Sequence, residues 1–162
     1  MIDQRTDAPR ATPTATDDNL QAQETAFAFG DVAVDLDVPE GVWNPTPHGL
    51  HLGDVLATEL RFDEQHVLEL GTGCGLHAVV LAHRGAKALT LTEIDEETVE
   101  LARHNVERHD VDIPVDYEVA DWTHVEDGPF DALVTNPPFA KSGKPYRRYF
   151  IDTLILDTHK LV

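Results

Sequence analysis

Cysteine is nearly missing from this sequence: Cys74 stands alone among 162 residues, so no disulfide can form within the chain and no secretory disulfide framework exists. Basic residues are scarce as well. Twelve lysines and arginines face 30 acidic residues, and the formal net charge of −18 excludes a protein coated over its whole surface by nucleic acid, because a polyanion would be repelled at long range. Only Lys87, Lys141, Lys144 and Lys160 are lysines. Such an acid excess suits work in concentrated salt, where repulsion is screened within about 3 Å at 1 M; a halophilic source is the expectation, checked by melting at low and high KCl. No apolar run approaches the roughly 18 residues needed to cross a bilayer, and the N-terminus lacks the apolar stretch of a secretion signal. The cytoplasm is therefore the expected location, with no membrane partner.

With 41% hydrophobic side chains, the chain can build one core and is short for two. Residues 1–24 are rich in Thr, Ala, Asp and Pro and are predicted to be a disordered tail, with a single domain over 25–162. "FAFGDVAVDLDV" alternates apolar positions around Gly30-Asp31, which predicts a hairpin or edge extension. After the Pro-rich "GVWNPTPHG", Leu52, Val55, Leu56 and Leu60 recur at helical spacing and predict a helix over His51–Leu60.

A regular rhythm follows. "HVLEL" reads as a buried strand, "GTGCG" as a turn and "LHAVVLAHRG" as a helix closed by Gly85. "ALTLTEI" reads as a second strand; "DEETVELARHNV" carries a Val99, Ala102, Val106 stripe behind an Asp95 cap. "VDYEVA" and "FDALVTN" supply two more strands. This alternation predicts an α/β, doubly wound, mainly parallel sheet with helices on its faces. "RRYFIDTLILDTHKLV" then reads as helical, with Phe150, Leu154 and Leu161 roughly in phase and no strand after it. If the fourth strand lies beside the first, its far edge carries unpaired backbone groups, so strands from a longer parent protein, a partner chain or self-association are expected to cover it.

"VLELGTGCGL" places Gly71, Gly73 and Gly75 between a strand and a helix, where glycine permits a tight backbone and close approach of a ligand. A plain tight turn is the alternative. Glu69 stands at the strand end, where a carboxylate costs free energy without a polar or cationic partner. Glu93 ends the second strand, where a dinucleotide-type fold puts the acid that accepts hydrogen bonds from ribose hydroxyls. Together they suggest an adenosine-containing ligand, although Gly-x-Gly-x-Gly is not the Gly-x-Gly-x-x-Gly of a pyrophosphate cradle.

"VLELGTGCG", "TEIDEETVELARHN", "VADW" and "NPPF", in this order and spacing, resemble a class I S-adenosylmethionine-dependent methyltransferase of the Asn-Pro-Pro-Phe/Tyr type, over roughly residues 42–162. The resemblance implies a Rossmann-like methyltransferase fold with S-adenosylmethionine as cofactor. It implies that the loop Gly71, Thr72, Gly73 to Gly75 wraps the methionine portion and that Glu69 helps to hold its amino group, commonly through water. Glu93 would bind the ribose hydroxyls and Asp121 the adenine amino group, with Trp122 and Ile94 flanking the ring. Core packing is the alternative for Trp122, and Cys74 reads as a small filler of the turn. Relatives of this kind continue with three more strands, which this sequence lacks.

Methyl transfer to a conjugated nitrogen is limited by the nitrogen's delocalised lone pair. Asn136 could accept a hydrogen bond from that nitrogen, joined by a backbone carbonyl of Pro137-Pro138, and let positive charge develop on it. The prolines donate no N–H, and Phe139 offers a flat stacking surface; a strand terminator with Phe139 in the core is the alternative. By resemblance, such a motif serves adenine N6, guanine N2 or glutamine amide. Lys141, Lys144, Arg147 and Arg148 form the one dense basic patch, in "KSGKPYRRY". Cations oppose the dipole of a helix start, so phosphate contact is the reason favoured over a solvated helix end, and an RNA or ribosome-associated substrate over a free small molecule.

The nine histidines show no metal spacing. By resemblance, Thr46, Pro47 and His48 lie in a segment that closes over the cofactor. The reading is a methyltransferase acting on a planar nitrogen. A nicotinamide-dependent oxidoreductase would explain Glu93 but leave "NPPF" idle, and a non-catalytic cofactor-binding or truncated subunit would bind cofactor without transferring methyl.

Overall fold

The computed structural model describes residues 23–40, 42, 44–121, 125 and 128–136. The expected N-terminal tail up to residue 22, Trp122, Pro137, Phe139, the basic residues Lys141, Lys144, Arg147 and Arg148, and the helix expected after them lie outside the described residues.

The described residues open with an antiparallel hairpin, β1 (Gln23–Phe29) and β2 (Val32–Val38), in register from Gln23↔Val38 to Phe29↔Val32, so Gln23 and Glu24, expected in the tail, pair in a strand instead. Gly30, at φ +59, makes the predicted turn with Asp31. The strict alternation of β2 buries Val32, Val34, Leu36 and Val38 on one face, each contributing about 1.5–3 kcal/mol of burial. Arg84, which caps the C-terminus of a helix beneath the hairpin, pairs with Asp31 in the turn and holds its carboxyl below the ordinary range. The hairpin forms its own two-stranded sheet and does not extend the larger one.

Helix α1 (Pro47–Thr58) starts a full turn before the predicted His51. Thr46 is its N-cap, its hydroxyl accepting from the Gly49 N–H at 3.2 Å, and Pro47 occupies the first position, where a missing N–H costs nothing. Leu60, expected in the helix, falls beyond the C-cap Glu59 and is 44% exposed. Then β3 (His66–Leu70), α2 (Leu76–His83), β4 (Ala88–Glu93), α3 (Glu96–Glu107), β5 (Val115–Val119) and β6 (Ala132–Thr135) follow the predicted alternation. Asp95 caps α3 through the Thr98 N–H at 2.9 Å, and Val99, Ala102 and Val106 are buried as the spacing requires.

All pairings in the four-stranded sheet are parallel, in the order β5-β4-β3-β6. Chain direction along the sheet therefore reverses between β3 and β6, the place where open α/β sheets bind ligands beyond their strand ends. Among the described residues β6 is an edge strand.

Alternation assigns side chains to the two faces. Val67, Leu89 and Leu91 join the main core with Leu36, Leu56 and the apolar residues Val79, Val80 and Leu81 of α2, whereas Leu68 and Leu70 meet Phe130 and Val125 in a smaller cluster. Register pairs Glu69 with Leu91 and Val134, so Glu69 faces the main core and the helices, not the smaller cluster.

Candidate active site

The turn after β3 depends on its three glycines for different reasons. Gly71, Gly73 and Gly75 adopt φ +72, +55 and +85, a left-handed region that side chains resist. At Gly75 a Cβ would lie 3.1 Å from the Ala102 carbonyl oxygen, because α2 begins hard against α3. At Gly71 and Gly73 a Cβ would meet nothing within 4 Å. Two of the glycines thus border open space at the switch point, and the third closes the fold behind them.

The turn's backbone is held from β4. The Gly71 and Thr72 N–H groups both donate to the Thr92 carbonyl, at 2.9 and 3.0 Å. Glu93 reaches across: its Oε2 accepts from Gly73 N–H at 3.3 Å and its Oε1 from Ile94 N–H at 2.8 Å. Asn105 of α3 bolts the back of the turn, its Nδ2 donating to the Cys74 and Asp37 carbonyls at 2.9 and 3.0 Å while its Oδ1 accepts from Asp37 N–H at 2.8 Å. Cys74 is buried beside it, and burial pushes its thiol up to about 11, with the Glu69 charge adding to the rise. A thiol so seldom ionised is the filler its setting suggested, not a nucleophile.

Beneath the turn, Glu69 is 1% exposed and has found the partners its burial demands. Thr72 Oγ1 donates to its Oε2 at 2.9 Å, and His77 Nδ1 lies 3.1 Å from its Oε1. The other His77 nitrogen, Nε2, is 2.9 Å from the Gly49 carbonyl oxygen in the first turn of α1. Burial alone would disfavour a charge on His77, but the Glu69 hydrogen bond, the Glu69 charge and the Gly49 carbonyl outweigh it and leave its pKa raised.

Asn136 follows β6 directly. Val134 shares a face with Glu69, so alternation carries Asn136 to the side occupied by α1. The packing agrees, since a Cβ built on Gly49 would come 3.0 Å from Asn136 Nδ2. Thr135 ties the same strand end to β3, its hydroxyl donating to the Leu70 carbonyl at 3.0 Å.

Parallel strands present all their C-terminal ends at one edge. That edge gathers Glu69, the Gly71–Gly75 turn, Glu93, Ile94 and Asn136, and Asp121 follows β5 at the same edge. Ile94 is 68% exposed, an apolar side chain left uncovered beside Glu93. Thr46 and Pro47 start α1 over this site, and His48 is exposed in its first turn. Among the described residues no cluster of three metal-ligating side chains occurs and no helix is long and apolar enough to cross a membrane. Three contributors escaped the sequence reading: Gly49, His77 and Asn105. Gly49 gave no signal, whereas His77 was a polar residue in the apolar run "LHAVVLAH" and Asn105 stood beside Val106 of the α3 stripe.

Residues 52–160 match the family model of the methyltransferase small domain. A tRNA1(Val) (adenine(37)-N6)-methyltransferase of Glaesserella parasuis is 39% identical over 77 residues, 46% of this chain and 33% of that protein. A release factor glutamine methyltransferase of Chlorobaculum tepidum is 34% identical over 84 residues, 48% of this chain and 28% of the relative. The chain thus matches a third or less of the length of these curated relatives. Among solved structures, the Pyrococcus abyssi tRNA (uracil-54, C5)-methyltransferase in complex with S-adenosyl-L-homocysteine superposes with a TM-score of 0.56 at 27% identity, over 71% of this chain and 28% of that one.

Proposed function

The chain belongs to the methyltransferase small domain family, and from that premise we propose that it transfers a methyl group from S-adenosylmethionine to a planar nitrogen, an RNA base amino group or a protein glutamine amide. The observation that carries this reading is the placement of Asn136 beside the open glycine turn, at the point where the sheet reverses direction.

The residues fit the cofactor. Open space at Gly71 and Gly73 admits it close to the backbone, and the acceptor-only carboxylate of Glu93 keeps lone pairs for hydroxyls beyond those engaged by Gly73 and Ile94. Exposed Ile94 offers an apolar flank for a ring, with Asp121 and Trp122 as its expected companions. Glu69, bonded to Thr72, supports the turn from below and would help to hold the cofactor's ammonium.

When bound, S-adenosylmethionine supplies a sulfonium methyl: the carbon–sulfur bond breaks with its electron pair staying on sulfur, and a carbon–nitrogen bond forms. The protein's task is to hold the nitrogen in line and let its lone pair localise. Asn136 turns its Nδ2 towards Gly49, which leaves Oδ1 as the end able to accept from the acceptor's N–H. A Pro137-Pro138 carbonyl and the Phe139 ring complete the clamp in this proposal. The nitrogen gains positive charge in the transfer and then releases a proton to solvent.

The relatives act on a tRNA adenine and on a release factor glutamine, and a translation-associated substrate suits the basic patch of Lys141, Lys144, Arg147 and Arg148. Within the same reading, β6 is where a strand from a partner chain or a longer parent protein would add. The test is Asn136→Ala, expected to keep cofactor affinity by calorimetry while losing turnover by roughly 100-fold. Unchanged turnover would remove Asn136 from the mechanism. Methyl-labelled cofactor incubated with total lysate then identifies the acceptor, by whether nuclease or protease releases the label.

A further inference from the structure

His77 is buried to 6% exposure in the first turn of α2, with an acceptor facing each ring nitrogen: the Glu69 carboxylate at Nδ1 and the Gly49 carbonyl at Nε2. A neutral imidazole has one N–H and cannot donate to both. An acceptor at each nitrogen favours the doubly protonated ring, a charged strut between β3 and α1. Its α1 end is the residue whose Cα faces Asn136, and its β3 end is the carboxylate that anchors Thr72 of the glycine turn.

We propose that His77 is a positioning residue, which through the Gly49 carbonyl fixes the first turn of α1 against Asn136 and so sets the acceptor clamp relative to the glycine turn. The proposal rests on the methyltransferase reading. Within the turn itself, Gly49 N–H donates to Thr46 Oγ1 and Leu50 N–H to the Thr46 carbonyl, and the His77 contact to the Gly49 carbonyl ties that turn to α2. Without the strut, α1 keeps its core contacts at Leu50, Leu56 and Ala57 but its first turn loses the Gly49–His77 hydrogen bond, so it can shift by a fraction of an ångström. Misplacement on that scale is costly when reacting atoms must approach in line.

Two conservative variants separate the strut's ends. In His77→Asn the amide nitrogen stands near the place of Nδ1 and serves Glu69 alone; in His77→Gln it reaches the place of Nε2 and serves Gly49. With full-length protein, His77→Asn should bind S-adenosylmethionine within about threefold of wild type while kcat falls roughly 10- to 100-fold. Hydrogen exchange at the Leu50 amide should accelerate, with amides of β3 and β4 unchanged. His77→Gln should restore both kcat and Leu50 protection. Wild-type kcat and exchange in His77→Asn would overturn the proposal. So would parallel loss of cofactor binding, kcat and melting temperature in both variants, the signature of a merely structural residue. A wild-type chain that binds no S-adenosylmethionine would instead overturn the methyltransferase reading, and Leu50 exchange in the same variants would still decide whether His77 holds α1.

Discussion

Replacing Gly49 by alanine should separate function from stability. The residue lies in the first turn of α1 with no left-handed φ, so the backbone accepts a side chain, and alanine is favoured over glycine in a helix by up to about 1 kcal/mol. The added methyl would meet Asn136 Nδ2 at 3.0 Å, with Thr46 Oγ1 at 3.7 Å and His77 Cε1 at 4.0 Å at ordinary distances. Only the Asn136 contact is too close, and relief requires a shift of a few tenths of an ångström, about a third of the misplacement that can cost 100-fold in rate. The expectation is a stability changed by no more than about 1 kcal/mol, unchanged cofactor affinity, and turnover lower by roughly tenfold. Thermal melting, calorimetry and single-turnover methyl transfer on one preparation measure all three. Full turnover with a stable fold would refute the claim that the α1–Asn136 approach matters to the chemistry. A large loss of stability would refute the reading of Gly49 as a residue kept small for Asn136.

Gly75→Ala combines positive φ with a 3.1 Å approach to the Ala102 carbonyl and should lower stability by about 2–4 kcal/mol in denaturant melts. Gly73→Ala faces open space, so it should cost only the backbone strain of about 1–2 kcal/mol while weakening cofactor binding measurably by calorimetry. His77 has a folded-state pKa raised above its ordinary 6.5, so its stabilisation is fully present below pH 6.5 and is lost as pH rises through the raised value. The melting-temperature gap between wild type and His77→Phe should therefore narrow towards alkaline pH, and a gap that widens would contradict the assignment. Cys74, raised to about 11 and buried, should resist alkylation in the native protein at pH 8 and react on unfolding.

Local order was legible in the sequence because it is written in short-range patterns. Alternation marked β2, the 3.6-residue stripe marked α3, Asp95 marked its start, and glycine spacing marked the turn after β3. Where two local signals competed, the apolar spacing of Leu52 to Leu60 misplaced α1, because Thr46 and Pro47 define the helix start through a cap and a missing N–H, not through apolar periodicity. Glu69 stood out as a carboxylate within a buried strand, and its need for partners followed from that alone. Which partners it has did not.

The sequence by itself determined the acid excess and, because local order depends on neighbours within a few positions, the type and succession of the described elements. Tertiary structure decided that β6 pairs with β3, which brings Asn136 to the glycine turn. It also decided that His77 bridges Glu69 to Gly49, and that Gly49 closes on Asn136. Those contacts join segments far apart in the chain, and strand pairing and side-chain packing between such segments leave no period in the sequence to read.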